Sequence, residues 1–322
     1  MEGTWLVLLA FAIFVALGCG VFFVRRRRFP FVHKKRAWSI GIMGGAHPLE
    51  IGDHERVRNP VLTSRHVTDV DADFVADPFL VHDERGWAMF FEVMNRSTGL
   101  GEIGLARSKN GLRWRYDRIV LREPFHLSYP FVFGWRGRHF MVPECCRSGT
   151  IRLYEALNYP DGWVHRATLV EGEYVDPTPF VWNDHWYMMA KERASHTLRL
   201  FEAGDLCGPW SEHPRSPLLV DDLNHTRPGG NVTVSGGRLY RFAQDYEPRY
   251  GSKVWAMEIT DLTPDCYEER PAGSRPVLAA GMSGRSWNSQ GMHQLSPIQV
   301  GEGRWIAAVD GNGYHYSLSW KL

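Results

Sequence analysis

The sequence is short of cysteine and lacks any pattern typical of a disulfide scaffold or a zinc site. Only five cysteines occur among 322 residues, and no C-x-x-C pair is present. Those outside an N-terminal apolar run follow no regular spacing, which favours reduced thiols over a disulfide framework. They are Cys145, Cys146, Cys207 and Cys266.

An excess of charge of either sign is also missing. Lys and Arg number 37 against 36 Asp and Glu, a net charge of +1. Residues 1–36 hold seven of the basic residues and one acid, so the rest of the chain is mildly acidic. Affinity for nucleic acids depends mainly on many Lys and Arg meeting phosphates. We therefore exclude nucleic acid as the main partner.

One long apolar run stands at the N-terminus. Residues 5–24 carry no charge, and as a helix this run would span roughly 30 Å, the thickness of a bilayer core. The basic residues follow the run instead of preceding it, which favours an uncleaved anchor over a signal peptide. They also predict a body in the cytoplasm. We expect a tail at 1–4, a single transmembrane helix at 5–24, a basic linker at 25–36 and a folded body at 37–322.

Helical periodicity is nearly absent from the body, where a repeat of short strands recurs about every fifty residues. Each copy reads as an apolar strand, a polar turn, an aromatic-rich strand and an acid or amide, and most copies are followed by a further strand pair. Four short strands per repeat predict an all-β, five-bladed β-propeller, with a β-sandwich as the alternative. The first strand of each blade lines the channel, so the residues that begin the copies should converge: Asp77, Tyr129, Asp176, Arg227 and His293.

Two glycine-containing segments are interpreted as turns. Ser108–Trp114 contains Asn110-Gly111, which predicts a tight hairpin turn, with Trp114 packed between blades. Gly99-Leu-Gly-Glu-Ile-Gly104 matches the dinucleotide fingerprint by letters only, because it lies between strands and opens no helix. We predict no cofactor.

Ordered motifs carry a resemblance that covers roughly residues 37–320. The chain resembles the N-terminal propeller domain of plant glucosamine inositolphosphorylceramide transferases and its standalone bacterial relatives. It is more distantly similar to the five-bladed propellers of family-43 and family-68 glycoside hydrolases. The motifs are Val75-Ala-Asp-Pro-Phe-Leu80, His126-Leu-Ser-Tyr-Pro-Phe-Val-Phe133, Met141-Val-Pro-Glu144, Val175-Asp-Pro-Thr178, Arg241-Phe-Ala-Gln-Asp245 and Met292-His-Gln-Leu-Ser296.

The resemblance implies carbohydrate chemistry at the channel mouth. Asp77 matches the Asp-Pro that supplies the base or nucleophile in those hydrolases, Tyr129 fills their second Asp position and Asp176 fills the position of their acid. His293 stands where family-43 propellers place a metal-coordinating His, and we leave a metal unassigned. In the plant enzymes the transferase activity is associated with a separate C-terminal domain.

Glycosyl transfer and hydrolysis both need one carboxylic acid and one carboxylate flanking the sugar bond. Asp77, Glu144 and Asp176 are our candidate catalytic residues. An equally weighted alternative is that Asp before Pro only begins a strand and that Glu144 is a solvated strand end. Our candidate substrate-binding residues are His126, Tyr129, Arg227, Asp245 and His293.

Three interpretations remain open. The first is a membrane-anchored protein that carries out glycosyl transfer in the synthesis of a cell-surface glycan or glycolipid. The second is a non-catalytic glycan-binding propeller that assists a partner glycosyltransferase, and the third is an exported glycosidase. Each predicts a sugar, glycolipid or nucleotide-sugar ligand.

Overall fold

The computed structural model describes residue 13, residues 32–283 and residues 286–318. The predicted membrane helix at 5–24 therefore lies almost wholly outside the described residues. Within the described part of the chain, no helix is long and apolar enough to cross a membrane. Residues 37–313 form one compact unit.

Strands make up nearly all of the regular structure between residues 32 and 318. The first two, β1 (Val32–Gly45) and β2 (Ile51–Asp53), pair in one sheet with the last two, β22 (Leu295–Gly301) and β23 (Arg304–Leu318), in the order β2-β1-β23-β22. This sheet, blade 5, joins strands from the beginning and the end of the described chain. Two short 3-10 helices, Ser64–His66 and Cys146–Ser148, lie in connecting segments.

The other blades follow one another along the chain. Blade 1 contains β3 (Ala72–Asp83), β4 (Gly86–Asn95), β5 (Leu100–Ser108) and β6 (Arg115–Leu121). Blade 2 contains β7 (Ser128–Trp135), β8 (Arg138–Glu144), β9 (Thr150–Asn158) and β10 (Asp161–Glu171). Blade 3 contains β11 (Tyr174–Trp182), β12 (His185–Glu192), β13 (Thr197–Ala203), β14 (Ser211–Glu212) and β15 (Leu219–Val220). Blade 4 contains β16 (Arg227–Pro228), β17 (Thr233–Ser235), β18 (Arg238–Asp245), β19 (Lys253–Leu262), β20 (Tyr267–Pro271) and β21 (Leu278–Ala279).

Apolar side chains fill the spaces between neighbouring blades. Phe91 of blade 1 packs in one cluster with Ile306 of blade 5, and Phe90 on the opposite face of the same strand packs in another with Met141 of blade 2. Because successive residues of a strand point to opposite faces, a strand buried on both faces must be apolar throughout. That is the pattern of β4 from Trp87 to Phe91, whose residues are all buried and apolar, and the buried Glu92 that follows breaks it. The predicted all-β, five-bladed propeller is confirmed.

The inner strands of blades 1, 2 and 3 share one irregularity. Asp77, Tyr129 and Asp176 each precede a proline and each has a positive φ, of 52°, 44° and 54°. Pairing with the neighbouring strand is interrupted at each position. A left-handed residue at a bulge costs about 1–3 kcal/mol and redirects its side chain. The repeated X-Pro motif thus builds the same bulge into three blades, and these bulges carry the residues of the candidate site.

Candidate active site

Charged side chains from the inner edges of the blades meet in two linked groups. The first joins Asp77 of β3, His293 just before β22 and Asp310 of β23. His293 Nδ1 lies 2.6 Å from Asp310 Oδ2, and His293 Nε2 lies 3.6 Å from Asp77 Oδ1. The backbone N–H of Asp77 donates to Asp310 Oδ2 at 3.1 Å. Asp310 Oδ1 accepts the N–H groups of His293 and Gln294 at 3.0 and 3.1 Å.

Burial and neighbouring charges shift the protonation of this group. Burial raises the pKa of Asp77 to about 7, although the imidazole of His293 opposes that shift; Asp176 and Asp310 add to it. Burial alone would lower the pKa of His293, but the carboxylates of Asp310 and Asp77 outweigh it and raise that pKa. Asp77 therefore exchanges its proton near neutral pH, where a general acid or base is most effective.

The second group is built around Arg227. Its Nε donates to Asp176 Oδ2 at 2.5 Å and its Nη2 to Asp176 Oδ1 at 3.3 Å, a bidentate pair. Gln244 Nε2 also donates to Asp176 Oδ2, at 2.7 Å. Glu144 Oε2 lies 3.6 Å from Arg227 Nη2 and accepts the hydroxyl of Ser128 at 3.2 Å. Arg227 thus bridges two of the three candidate catalytic carboxyls, Asp176 and Glu144. Asp77, in the first group, is near enough for the charges of Asp176 and Arg227 to act on its pKa.

The pKa of Asp176 is raised to about 6. Burial is the main cause, Arg227 opposes it, and the neighbouring Glu144 adds to it. At neutral pH Asp176 is thus mainly ionised while Asp77 is divided between its two forms. Two carboxyls with different protonation states are what acid–base chemistry on a sugar requires.

A fifth carboxyl, that of Glu92 near the end of β4, belongs to the same region. Its pKa is raised well above the usual value by burial and by the charges of Asp77 and Glu144. His126 Nε2 lies 3.4 Å from Glu92 Oε1, and His126 Nδ1 accepts the N–H of Gly101 at 2.9 Å. With Nδ1 as acceptor, the neutral imidazole carries its proton on Nε2, facing Glu92. Burial, aided by Arg147, lowers the pKa of His126 and favours that neutral form.

Tyr129 lies fully buried inside the ring, and its hydroxyl connects three blades. The hydroxyl accepts the N–H of Gly230 at 2.9 Å, lies 3.1 Å from the carbonyl oxygen of Gly230, and contacts Thr178 Oγ1 at 2.9 Å. Its aromatic ring packs edge-on against Phe79. The hydroxyl therefore has protein partners in blades 3 and 4.

We expect Tyr129→Phe to lower the free energy of unfolding by about 1–3 kcal/mol, because it leaves buried polar groups of Gly230 without a partner. Urea unfolding monitored by tryptophan fluorescence measures this. The matched control is Tyr187→Phe: Tyr187 is also buried, and its hydroxyl makes no hydrogen bond to the described residues. Equal losses in the two variants would contradict the bridging role.

Asp245 anchors the loop that covers Arg227. Its Oδ2 accepts Lys253 Nζ at 2.8 Å and Trp255 Nε1 at 2.9 Å, and its Oδ1 accepts the N–H of Glu247 at 2.6 Å. The loop carries Tyr246, whose hydroxyl accepts Arg227 Nη1 at 3.1 Å. Asp245 is thus joined to the site through this loop, and its carboxylate faces Lys253 and Trp255.

Aromatic rings lie beside His293. The ring of Tyr250 lies 4.9 Å from the Arg227 guanidinium and 5.3 Å from the His293 ring, and it is 40% exposed. Trp38 stacks on His293 with ring centroids 4.0 Å apart. Gly251, at φ 68°, passes so close that a Cβ there would lie 2.9 Å from Trp38. Tyr250 is the exposed aromatic surface beside the buried charges.

One part of the site has the spacing of a metal site. Donor atoms of Asp77, His293 and Asp310 all lie within 4.8 Å of one another, and carboxylate and imidazole are common metal ligands. The same spacing suits an imidazolium held between two carboxylates, which agrees with the raised pKa of His293.

Asp310, Glu92 and Gln244 were not among the residues chosen from the sequence. Two of them end the second strand of their repeat copies, at the position that Glu144 occupies in blade 2. The acid or amide at the end of each repeat copy was therefore the sequence feature from which these site residues could have been predicted. In blade 3 the same position holds Glu192, which pairs with Arg199 at 2.7 Å.

The five-bladed β-propeller is a fold that this chain shares with several glycoside hydrolases. A family-43 glycoside hydrolase from Bacillus licheniformis superposes with a TM-score of 0.57 at 15% identity, over 82% of this chain and 55% of that one. An α-L-arabinofuranosidase catalytic domain of family 62 from Coprinopsis cinerea gives 0.54 at 11% identity, over 74% and 90%. At these identities the likeness concerns the fold alone.

The family is shown by sequence. Residues 32–312 match the family model described as glucosamine inositolphosphorylceramide transferase 1, N-terminal, and the chain belongs to that family. Glucosamine inositolphosphorylceramide transferase 1 of Oryza sativa subsp. japonica is 33% identical over 298 residues, and that of Arabidopsis thaliana is 30% identical over 301 residues. Each alignment covers 86% of this chain but only 40% and 39% of the relative. The resemblance carried by the motifs is confirmed.

Proposed function

We propose that this protein acts in glycosyl transfer to a glycolipid or cell-surface glycan and that the channel-mouth carboxyls handle the sugar. The observation that carries the proposal is that three buried carboxyls, Asp77, Asp176 and Glu144, lie in two neighbouring groups. Asp77 is beside His293, and the other two are bridged by Arg227. The glycosyl transfer named for the plant relatives supports the same class of chemistry.

In this proposal Asp77 exchanges a proton with the sugar oxygen. Its pKa of about 7 leaves both forms populated at neutral pH, so it can give a proton to a leaving oxygen or take one from an acceptor hydroxyl. Asp176 stays ionised beside Arg227 and stabilises positive charge that develops on the sugar ring. His126 and Tyr250 lie where hydroxyl groups and a ring face of the sugar would be recognised.

The substrates follow from the names of the relatives. We propose an activated glucosamine as donor and an inositolphosphoryl-lipid as acceptor. We also propose that residues 5–24 anchor the protein in the membrane with the propeller on the cytoplasmic side, where a partner glycosyltransferase would share the lipid substrate. The basic residues after the apolar run support this orientation.

A second candidate function is glycan binding without catalysis. It is favoured by the hydrogen bonds that the Asp176 carboxylate already accepts from the protein. Arg227 donates to both carboxylate oxygens, and Gln244 donates a third hydrogen bond. A carboxylate held this way is suited to fixing Arg227 as a contact for an anionic group. In that case the propeller would present the lipid-linked sugar to a partner enzyme.

A turnover assay with the full chain separates the two candidates. The purified protein is incubated in detergent with nucleotide-activated glucosamine and inositolphosphorylceramide, and products are identified by mass spectrometry. Glycosylated lipid supports transfer, and lipid binding without product supports the binding candidate. Release of free glucosamine without acceptor would indicate a glycosidase, and neither binding nor turnover would contradict the proposal.

A further inference from the structure

A cavity of about 760 Å³ lies at the end of blade 1 opposite the carboxyl network. The turn between β3 and β4 and the turn between β5 and β6 line it, together with Tyr159 and Pro160 of blade 2. On β4, Trp87 borders this cavity while Glu92 belongs to the carboxyl region near the other end of the strand. The two sites are therefore separate.

Basic side chains dominate the cavity wall. Its acids are Asp83 and Asp117. Asp117 pairs with Arg107 at 2.7 Å, and Asp83 lies 3.5 Å from Nε2 of His139, whose pKa is lowered by burial. The cations outnumber these two acids and give the wall a net positive charge. They are Arg85, Arg107, Lys109, Arg113 and Arg115.

Four of those cations have no carboxylate within 4.0 Å of their charged nitrogens in the part of the chain that the structure describes. One is Arg85, which donates to the carbonyl oxygen of Tyr159 at 3.3 Å. The other three, all in or beside the turn predicted at Ser108–Trp114, are Lys109, Arg113 and Arg115. Like charges crowded on one wall repel one another, and an anion in the cavity would relieve that repulsion. The charge pattern therefore selects anionic ligands.

The turn that carries these cations is rigid. Asn110 Oδ1 accepts the N–H groups of Leu112 and Arg113, both at 3.0 Å, and Ser108 Oγ accepts that of Gly111 at 3.0 Å. Trp114 Nε1 donates to the carbonyl of Gly111 at 2.9 Å. The backbone from which the cationic side chains extend is thus fixed before a ligand binds, which lowers the entropic cost of binding.

We propose that this cavity binds the phosphate ester of a sugar or polyol. Guanidinium groups match phosphate in a bidentate manner, and Lys109 adds a point charge. The volume is that of a small-molecule site and leaves room for a sugar ring beside the phosphate. Trp87, Tyr116 and Tyr159 supply the apolar wall against which the ring would lie. The ligand is either a soluble sugar phosphate or the headgroup of a phospholipid.

The test compares wild type with the triple variant Lys109→Gln, Arg113→Gln, Arg115→Gln by calorimetric titration with glucose 1-phosphate. We expect at least tenfold weaker binding in the variant and no binding of glucose to either protein. The matched control removes three exposed arginines elsewhere, Arg65→Gln, Arg215→Gln and Arg275→Gln, and should change the affinity less than twofold.

The lipid source is tested by co-sedimentation with phosphatidylcholine vesicles with and without phosphatidylinositol. Residues 5–24 are present in every variant, so their contribution cancels. If the triple variant, but not the control variant, loses binding of glucose 1-phosphate, the proposal is supported and the ligand is a soluble sugar phosphate. If it instead loses co-sedimentation with phosphatidylinositol vesicles, the proposal is supported and the ligand is a phospholipid headgroup. Binding of neither probe, or equal binding by the triple and control variants, overturns it. Asp77→Asn should bind glucose 1-phosphate like wild type, so this result is independent of the proposed function.

Discussion

Replacing Arg227 by Met is expected to lower the free energy of unfolding by about 3–5 kcal/mol at pH 7.5. The substitution keeps most of the side-chain volume but leaves Asp176 with an uncompensated buried charge beside Glu144. Breaking a buried ion pair from one side costs about this much, because the remaining charge is neither solvated nor paired. Urea unfolding at pH 7.5 measures the loss.

Two comparisons isolate the electrostatic cause. Adding Asp176→Asn to Arg227→Met removes the orphaned charge and should recover a large part of the loss, and lowering the pH to 5 should do the same by protonating Asp176. The control is Arg96→Met, which breaks ion pairs of an exposed arginine with Asp71 at 2.9 Å and with Asp73 at 3.0 Å and should cost about 1 kcal/mol or less. A similar small loss for Arg227→Met would contradict the bridging role of Arg227.

The second large expected effect is the pH dependence of the free energy of unfolding. The pKa of Asp77 is about 7 in the folded protein and 3.8 without the fold. The folded state thus holds the proton more tightly, so the stabilisation is fully present below pH 3.8 and is lost as the pH rises through 7. The raised pKa of His293 acts in the same direction. Wild type should lose about 4 kcal/mol relative to Asp77→Asn between pH 4 and pH 8.

This pH dependence is measured by urea unfolding of both proteins across that range. The control is Asp265→Asn on an exposed turn, which should follow wild type at every pH. A constant difference between wild type and Asp77→Asn from pH 4 to pH 8 would contradict the protonation assigned to Asp77.

The repeat in the sequence predicted the architecture and which residues of the inner strands lie near one another, because a propeller places equivalent strand positions around one axis. Asp77, Tyr129 and Asp176 share a motif, and the structure gives them the same bulge. The roles within the network were not predictable in this way. Whether a channel residue faces a cavity or a neighbouring blade depends on contacts between distant parts of the chain, as when the Tyr129 hydroxyl meets Gly230.

The contact between Asp310 and Asp77 is a second feature that the sequence could not predict. It lies 233 positions from Asp77, yet it accepts the N–H of that residue. Only closure of the ring by the strands of blade 5 brings them together, and no local pattern encodes that contact. Tyr250 likewise gains its position from the loop that Asp245 holds, so its place over Arg227 is a tertiary effect.

The central claim is that the buried carboxyls of the site carry out the acid–base chemistry of glycosyl transfer. Its most direct test is the rate of glucosamine transfer to inositolphosphorylceramide by Asp77→Asn compared with wild type at pH 7. We expect at least a 100-fold lower rate, since a general acid or base contributes about 10²–10⁴-fold, with a folded protein and unchanged lipid binding. A rate within about twofold of wild type, from a variant with the same fold, would contradict the claim.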